Sequence, residues 1–379
     1  MPEPSAENER PVTSTRDPEE LRQRLEAWLA TQLEPGADPL VSGLHSPERN
    51  GMSSETVLFD LESRAADGTR QTSPYVARLA PEASAVPVFP TYDFDKQFHI
   101  MRLVAAGTSA PVPAAPWFEP DASVVGSPFF VMERVEGDVP PDVMPYNFGD
   151  SWLYDASAAD QARLQDRSAR VLAEIHTLNP TDHDLAFLEL DRAEPTALRR
   201  HVADQWDYYR WVSGERPQPL IEASFAWLDE HWPDDEGPTV LSWGDSRIGN
   251  MLYRDYTPVA VLDWEMVGLA PREMDLAWMI FLHLFFEDLT SKLEMPGMPD
   301  FMRAADVAAS YEAASGHTPR HLDFCLMYAA IRHGIVMSRV TARSIHFGEA
   351  EMPDDPDDLI MHRTVLEAML DGTYWKGVL

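Results

Sequence analysis

Lysine and cysteine are both scarce in this chain of 379 residues. Three lysines and 27 arginines face 63 acidic residues, so the formal net charge is −33. This shortage of positive charge excludes a general nucleic-acid binder, which needs cations to displace counterions from phosphates. It also disfavours a polybasic membrane anchor. Because Cys325 is the only cysteine, no intrachain disulfide can form, and a reducing compartment is favoured.

The chain also lacks a long hydrophobic run. Its longest apolar stretch, Leu276 to Phe286, is about half of the ~20 residues that a membrane-spanning helix needs, and His283 interrupts it. We expect a buried helix there. The N-terminus is polar and acidic, unlike a signal or transit peptide, so we expect a cytoplasmic protein that acts away from membranes. The composition does not decide between a monomer and a homodimer.

Short strand-like runs dominate the first third of the chain. Residues 1–18 are expected to form a disordered tail, and Pro18 opens an amphipathic helix. Between about residues 38 and 135, the pattern predicts a small, mostly antiparallel sheet with one inserted helix. A polar turn around Asp67-Gly68 separates the first two predicted strands. The predicted strands are 56–61, 74–79, 122–125 and 129–134, and the predicted helix is 94–106.

A proline-rich segment, Gly137–Pro145, marks a boundary between this sheet and a mainly helical remainder. We predict an N-terminal lobe of residues 19–136 and a C-terminal lobe of residues 137–379, which together make an α+β protein. One β-hairpin, between about Val240 and Asp263, is expected among the helices. The helices predicted from apolar spacing are 158–178, 196–212, 218–232, 272–289, 302–315, 320–345 and 357–370.

The most informative segment contains that hairpin. It reads Trp243-Gly-Asp-Ser-Arg-Ile-Gly-Asn250, and an apolar strand that ends in Asp263-Trp-Glu265 follows after a turn. We predict a turn at residues 254–257 and a register in which residues whose numbers add up to 513 face each other, so that Asn250 lies opposite Asp263. Asp245 precedes Asn250 by five residues and is expected to project into the same place.

Three oxygen-bearing side chains at one point suit Mg²⁺, which binds through a few protein ligands together with substrate phosphates. Phosphoryl transfer uses such a set, because one carboxylate orients the acceptor hydroxyl while an Asn and an Asp hold metal against the phosphates. We therefore predict Asp245 as catalytic and Asn250 and Asp263 as metal ligands. The alternative is an ordinary acidic turn, since acidic residues are abundant in this chain.

The segment Trp243–Asn250, with Asp263-Trp-Glu265, resembles the catalytic and metal-binding loops of the aminoglycoside phosphotransferase and choline kinase-like family. The usual family form is His-Gly-Asp-x-x-x-x-Asn, then an apolar strand and Ile-Asp-Trp or Ile-Asp-Phe. The continuation Gly268–Ala277 is also similar to the family pattern. This resemblance implies a bilobal protein-kinase-like fold with these loops at 241–277. It also implies Mg²⁺ and a nucleotide co-substrate, ATP or GTP.

The resemblance extends to a glycine-containing turn between the first two strands. The turn Asn50–Ser54 looks like the loop that covers the nucleotide in this family. It implies that Gly51, Ser53 and Ser54 contact the nucleotide phosphates through backbone N–H and hydroxyl groups. A plain hairpin loop is the alternative.

A second nucleotide contact is implied at the end of the N-terminal lobe. The segment Phe129–Gly137 resembles the family's strand and hinge, with the hinge near 133–136. Matching Gly137 to the family pattern places the adenine contacts at the Glu133 carbonyl and the Val135 amide.

Three residues depart from the family pattern. Arg78 stands where the family has the lysine that holds the nucleotide phosphates, and its guanidinium can fork onto two phosphate oxygens. A surface strand residue is the alternative for Arg78. Gln97 stands in place of the glutamate that pairs with that lysine, unless Asp93 or Asp95 replaces it. Trp243 replaces the motif histidine and is interpreted as structural packing beneath the metal loop.

Arg247 is expected to reach towards the transferred phosphate, or else to be a solvent-facing loop arginine. The acceptor is a small-molecule hydroxyl compound: aminoglycoside-like, a hydroxy acid or a hydroxyacyl compound. Similarity to the kinase-like domains of some acyl-CoA dehydrogenases favours the last two. A nucleotide-binding regulatory module with little turnover is the alternative function, motivated by Gln97 and Trp243. A metal-dependent phosphoesterase is a third possibility.

Overall fold

The computed structural model describes residues 16–47, 54–81 and 86–379. They divide into two units. One unit comprises the described residues up to Leu103, together with Pro113–Glu136 and His346–Gly348. The other comprises Val104–Val112, Gly137–Ile345 and Glu349–Leu379. The first unit is built on a sheet and the second is mainly helical, as the α+β prediction requires.

The first unit contains a five-stranded antiparallel sheet in the order β1-β2-β3-β5-β4. Alternate residues of β2, including Val57, Phe59 and Leu61, are buried, which is the period-two pattern of a sheet with one face on the core. The predicted turn at Asp67-Gly68 is confirmed, since the Asp67 carboxylate accepts from the Thr69 amide at 2.9 Å. The strands are β1 (Leu40–His45), β2 (Glu55–Arg64), β3 (Arg70–Leu79), β4 (Trp117–Glu119) and β5 (Phe129–Glu133).

Helix α1 (Pro18–Gln32) begins where its sequence caps it. The Asp17 carboxylate accepts hydrogen bonds from the backbone N–H groups of Glu19 and Glu20, and proline occupies the first helical position. Its apolar side chains, among them Leu25 and Trp28, join the core of the sheet. The expected disordered tail, residues 1–18, lies largely outside the described residues, and its last residues belong to this capped helix start.

One strand prediction in this unit is wrong, and strands β1 and β4 were not predicted. Residues 122–125 form a turn rather than a strand, with the Gly126 amide bonded to the Ala122 carbonyl at 2.8 Å. The fifth strand is instead the short edge strand β4, which pairs with β5 between two flanking prolines. Strand β1 was not predicted individually, because Gly43 weakens its strand pattern. The helix predicted at 94–106 is confirmed as α2 (Phe94–Gly107).

The second unit contains the predicted helices. Helix α6 is buried along most of its length, as predicted for the apolar stretch from Leu276 to Phe286. The last predicted helix, 357–370, is divided into a 3₁₀ turn, Pro356–Leu359, and a shorter α-helix. No helix in the described ranges is long and apolar enough to span a membrane. The helices are α3 (Ala158–Ile175), α4 (Ala197–Ser213), α5 (Pro219–Glu230), α6 (Glu273–Lys292), α7 (Ala304–Ser315), α8 (Leu322–His346) and α9 (Arg363–Leu370).

The strands of the second unit differ from the single predicted hairpin. Strand β6 (Thr239–Ser242) pairs with β9 (Gly268–Pro271), while β7 (Met251–Arg254) pairs with β8 (Thr257–Val261). The predicted register is wrong by one residue at Met251, which faces Val261, and by two residues at Arg254, which faces Thr257. The Leu262 amide bonds the Asn250 carbonyl at 2.9 Å. The turn contains only Asp255 and Tyr256, both with positive φ, so it is shorter than predicted.

Candidate functional site

A sharp backbone turn after β6 presents Asp245. Gly244 has φ +90°, and a Cβ atom there would lie 2.0 Å from the Met266 carbonyl oxygen. Only glycine fits this close approach between the loop before Asp245 and the loop after Asp263. Steric exclusion of a side chain therefore explains the glycine at this position of the motif, whether or not a ligand binds.

Asp275, near the start of α6, holds this turn in place. Its buried carboxylate accepts from the backbone N–H groups of Trp243 (2.7 Å) and Gly244 (2.9 Å), and from the Ser242 hydroxyl (2.9 Å). His176 donates a fourth hydrogen bond through Nε2 at 3.0 Å. Burial alone would favour the neutral acid, but the hydrogen bonds from His176 and the loop hold the pKa of Asp275 below its ordinary value.

These contacts tie the catalytic loop to two helices. Asp275 binds the loop backbone, and His176 holds the Asp275 carboxylate within the core. His176 Nδ1 is also paired with the Tyr311 hydroxyl at 2.8 Å, so its ring is fixed at both nitrogens. Its link to Asp275 could not have been foreseen, because 99 residues separate the two.

The Asp245 carboxylate is oriented by three donors. Trp278 Nε1 donates to Oδ1 at 2.7 Å. Asn250 Nδ2 donates to Oδ2 at 2.6 Å, and Arg247 Nε donates to the same oxygen at 3.2 Å. The structure thus brings together Asp245, Arg247 and Asn250, three of the residues singled out in the sequence. Trp278 was missed, although it lies one helical turn after Asp275, and that i, i+3 spacing was the available signal.

Arg247 lies among carboxylates. Its Nη1 donates to Asp142, and its Nε contacts Asp245. Burial disfavours its charge, but the carboxylates of Asp245, Asp142 and Asp263 raise the pKa of Arg247 above its ordinary value. A Cβ atom on Gly249 would lie 2.5 Å from the Asp142 carboxylate, so this glycine leaves room for the ion pair. Asp142 was missed because its proline-rich segment was interpreted only as a boundary.

The two predicted metal ligands lie on adjacent segments. Asn250 ends a 3₁₀ turn (Ile248–Asn250), and its backbone is bonded to Leu262, the residue before Asp263. Because the Asn250 amide nitrogen faces Asp245, its oxygen is left for another partner. An amide oxygen and a carboxylate are hard donors that fit Mg²⁺ when phosphate oxygens complete the shell. In the described ranges, no group of three or more His, Cys, Asp and Glu side chains is arranged to hold a metal.

Trp243 has the structural role that was predicted for it. Its side chain is fully buried, and its ring lies 5.9 Å from that of Trp264. Its indole Nε1 donates to the carbonyls of Leu262 (3.0 Å) and Asp263 (3.2 Å). The aromatic residue in place of the motif histidine thus supports the backbone that carries Asp263.

The predicted nucleotide residues lie in the sheet unit. Arg78 Nη1 donates to the Thr56 hydroxyl at 2.9 Å, and Thr56 is its cross-strand partner on β2. Gln97 is buried on α2 with 3% exposure. Glu133 is the last residue of β5, and Val135 lies two residues beyond it.

The predicted phosphate loop is described only at its end. Gly51 and Ser53 lie outside the described residues. Ser54 is 5% exposed, and its hydroxyl has no hydrogen-bond partner in the part of the chain that the structure describes. A buried hydroxyl without a partner is costly, which is consistent with a ligand contact at Ser54.

Comparison with known proteins places these motifs in a family. The model of the phosphotransferase enzyme family matches residues 49–345. Acyl-CoA dehydrogenase family member 11 of the mouse, Mus musculus, is 27% identical over 266 residues, which cover 69% of this chain and 31% of that protein. The chain spans about a third or less of the length of the curated relatives that it matches.

Solved structures share the architecture. A Ralstonia eutropha protein regarded as an aminoglycoside phosphotransferase has a TM-score of 0.66 and 21% identity, covering 93% of this chain and 98% of that chain. The GDP complex of an aminoglycoside 2′-phosphotransferase has a TM-score of 0.56 and 13% identity, covering 94% and 99%. Identities this low establish the fold alone, and it is the predicted bilobal kinase-like fold.

Proposed function

Because the chain belongs to the phosphotransferase enzyme family, we propose that it transfers the γ-phosphate of ATP or GTP to a hydroxyl group of a small molecule. The observation that carries this proposal is the Asp245 carboxylate, held by Trp278, Arg247 and Asn250 in one orientation. A carboxylate fixed in this way can align an acceptor hydroxyl and take its proton as the phosphoryl group arrives.

Asn250 and Asp263 are the proposed ligands of Mg²⁺. When bound, the ion would neutralise charge on the nucleotide phosphates. The chain supplies the amide oxygen of Asn250, turned away from Asp245, and the carboxylate of Asp263, whose backbone Trp243 supports. The same asparagine would therefore orient the catalytic carboxylate and hold the metal.

Arg247 would offset the charge that develops on the transferred phosphoryl group. Its contact with Asp245 supports this role, because it places a permanent positive charge beside the carboxylate that receives the acceptor. Its ion pair with Asp142 fixes the other end of the guanidinium.

The nucleotide contacts are proposed for the other unit. Arg78 would bind phosphate oxygens, and the Glu133 carbonyl and Val135 amide would recognise the base. Gly51, Ser53 and Ser54 would cap the phosphates, which the partnerless Ser54 hydroxyl supports. Gln97, buried beside this sheet, would replace the glutamate of related kinases. A structural neighbour solved as a GDP complex supports testing both nucleotides.

The direct test is incubation of the protein with ATP or GTP, Mg²⁺ and a metabolite library. We expect one acceptor to gain the mass of a phosphoryl group, and Asp263→Ala to abolish that gain. The proposal fails if Asp263→Ala leaves nucleotide-dependent phosphorylation unchanged. Tight nucleotide binding without turnover would favour the regulatory module, and phosphate release without nucleotide would favour a phosphoesterase.

A further inference from the structure

Helix α8 carries a buried arginine. Arg332 is 3% exposed. Among the described residues, no other arginine side chain is buried. Its Nε atom is buried without a hydrogen-bond partner. Across the described ranges, no ion pair or hydrogen bond to its guanidinium is found. Arginine carries a delocalised positive charge on a planar fork of five N–H donors.

Two aromatic rings surround the Arg332 guanidinium. Its Cζ lies 4.9 Å from the ring centre of Trp278 and 5.8 Å from that of Tyr328. The Tyr328 hydroxyl is bonded to His201 Nδ1 at 2.5 Å, and the Trp278 N–H is used on Asp245. Ring faces attract a cation, but they do not replace the acceptors that five N–H donors need.

Arg332 is linked to the candidate site through the side chain of Trp278. The indole of Trp278 supports Arg332 on its face and donates from its edge to the Asp245 carboxylate. The buried cation is therefore only one aromatic side chain away from the group that receives the acceptor hydroxyl. An oxyanion here would meet both the charge and the planar fork of donors.

We propose that Arg332 binds an acidic group of the acceptor, so that the substrate is an alcohol that also carries a carboxylate or a phosphate. This inference rests on the proposed function, since it names the class of acceptor for the same site. A cationic acceptor of the amino-alcohol type would meet repulsion from an unneutralised guanidinium. The acidity of the whole chain gives no such information, because it is spread over the sequence.

Direct binding tests this assignment without relying on turnover. The probes are hydroxycarboxylates of three to six carbons, hydroxyalkyl phosphates of the same lengths, the neutral primary amides of the acids, and the matching amino alcohols. We expect at least one acid to bind the full-length protein at least about tenfold more tightly than its amide. The carboxylate and phosphate arms identify the anion.

Arg332→Gln should remove the preference for acids while leaving the nucleotide Kd unchanged. Arg332→Lys should restore part of it, because lysine keeps the charge but lacks the fork. Equal binding of acid and amide to the wild-type protein overturns the inference, as does an unchanged preference in Arg332→Gln. The inference is also overturned if no acid binds.

The melting temperature of the ligand-free protein gives a second readout. Replacing an arginine with a purely structural role would lower it, whereas replacing a ligand-binding Arg332 should raise it. Arg332→Met removes an unpaired buried charge and keeps the length of the side chain, so it should raise the melting temperature of the ligand-free protein. The matched control is Arg199→Met, because Arg199 lies 4.1 Å from the Trp232 ring centre but is 42% exposed. We expect no increase for the control. A fall in melting temperature for Arg332→Met overturns the inference.

The two proposals can fail separately. If acids bind through Arg332 and no nucleotide phosphate is transferred to them or to any other alcohol, the anion site stands and the phosphotransferase proposal fails. If neutral or cationic alcohols are phosphorylated at rates that Arg332→Gln does not change, the phosphotransferase proposal stands and the anion site fails.

Discussion

Two buried charged side chains near the candidate site differ in the partners that the chain gives them. Asp275, 1% exposed, receives hydrogen bonds from Ser242, Trp243, Gly244 and His176. Arg332, 3% exposed, meets two aromatic rings and no acceptor among the described residues. A charge whose partners are all supplied by the chain stabilises a conformation. A charge whose partner is not supplied is suited to bind a ligand.

Removing the satisfied charge should have the largest effect. Asp275→Ala leaves two backbone N–H groups, a hydroxyl and an imidazole without their acceptor, so we expect a loss of about 3–5 kcal/mol in the free energy of unfolding. Urea unfolding measures it. Ser242→Ala removes only one of the donors and should cost about 1 kcal/mol. If both substitutions cost the same, Asp275 does not anchor the loop.

The second prediction concerns the turn that presents two of these donors. Gly244→Ala should cost about 3 kcal/mol or more and impair turnover, because the new Cβ would overlap the Met266 carbonyl. Gly36 is the matched control, since its φ is +92° but the space around it is open. Gly36→Ala should cost about 1 kcal/mol. Equal unfolding free energies for the two variants would show that the close approach to Met266 is unimportant.

Buried imidazoles sharpen the comparison, because burial can lower the pKa of a histidine until its ring is neutral. Burial lowers the pKa of His283 to about 4, and its ring contacts the Tyr146 hydroxyl and the Met298 carbonyl. Between about pH 6.5 and 4 the unfolded chain therefore binds a proton that the folded protein does not. Stability should be full above pH 6.5 and fall by about 3 kcal/mol from this residue as the pH drops to 4.

Urea titrations across this pH range measure the effect. His283→Gln can keep hydrogen bonds but cannot titrate. The slope of the unfolding free energy against pH should therefore decrease by the amount that corresponds to about one bound proton. An unchanged slope would mean that His283 is protonated in the folded protein.

The smallest effect is expected at the partly exposed ion pair. The side chains of Arg247 and Asp142 are 25% and 33% exposed, so solvent weakens their attraction. Asp142→Asn should change the free energy of unfolding by less than about 1 kcal/mol. Its effect on turnover should shrink as salt is added, because ions screen exposed charges. A loss as large as that of Asp275→Ala would contradict the distinction between buried and exposed charge.

The short motifs allowed much of the candidate site to be predicted. Asp245 and Asn250 are five residues apart, and local backbone geometry joins them, so the sequence contains the relationship. The hairpin register was wrong because a turn at Asp255 and Tyr256 pairs residues whose numbers add up to 511. A bulge between Leu252 and Tyr253 then changes this sum to 512, and the sequence gives no signal for the bulge. The strand prediction at 122–125 was wrong because an apolar segment of only four residues is also compatible with a turn.

Contacts between residues far apart in the sequence could not be predicted. Asp142 meets Arg247 across 105 residues, and nothing in its proline-rich segment indicates a partner. Arg332 lies in the apolar first half of α8, where periodicity would assign an arginine to the exposed face. Only the fold reveals that this residue is buried against Trp278.

The most direct test of the account is the rate of nucleotide-dependent phosphorylation by Asp245→Asn. Asparagine keeps the size of the side chain and a hydrogen-bonding oxygen, but it cannot take a proton. We predict that kcat falls by about 10²–10⁴ while nucleotide binding stays close to that of the wild type. A kcat within tenfold of the wild-type value, with the same acceptor, would contradict the assignment of Asp245 as the catalytic residue.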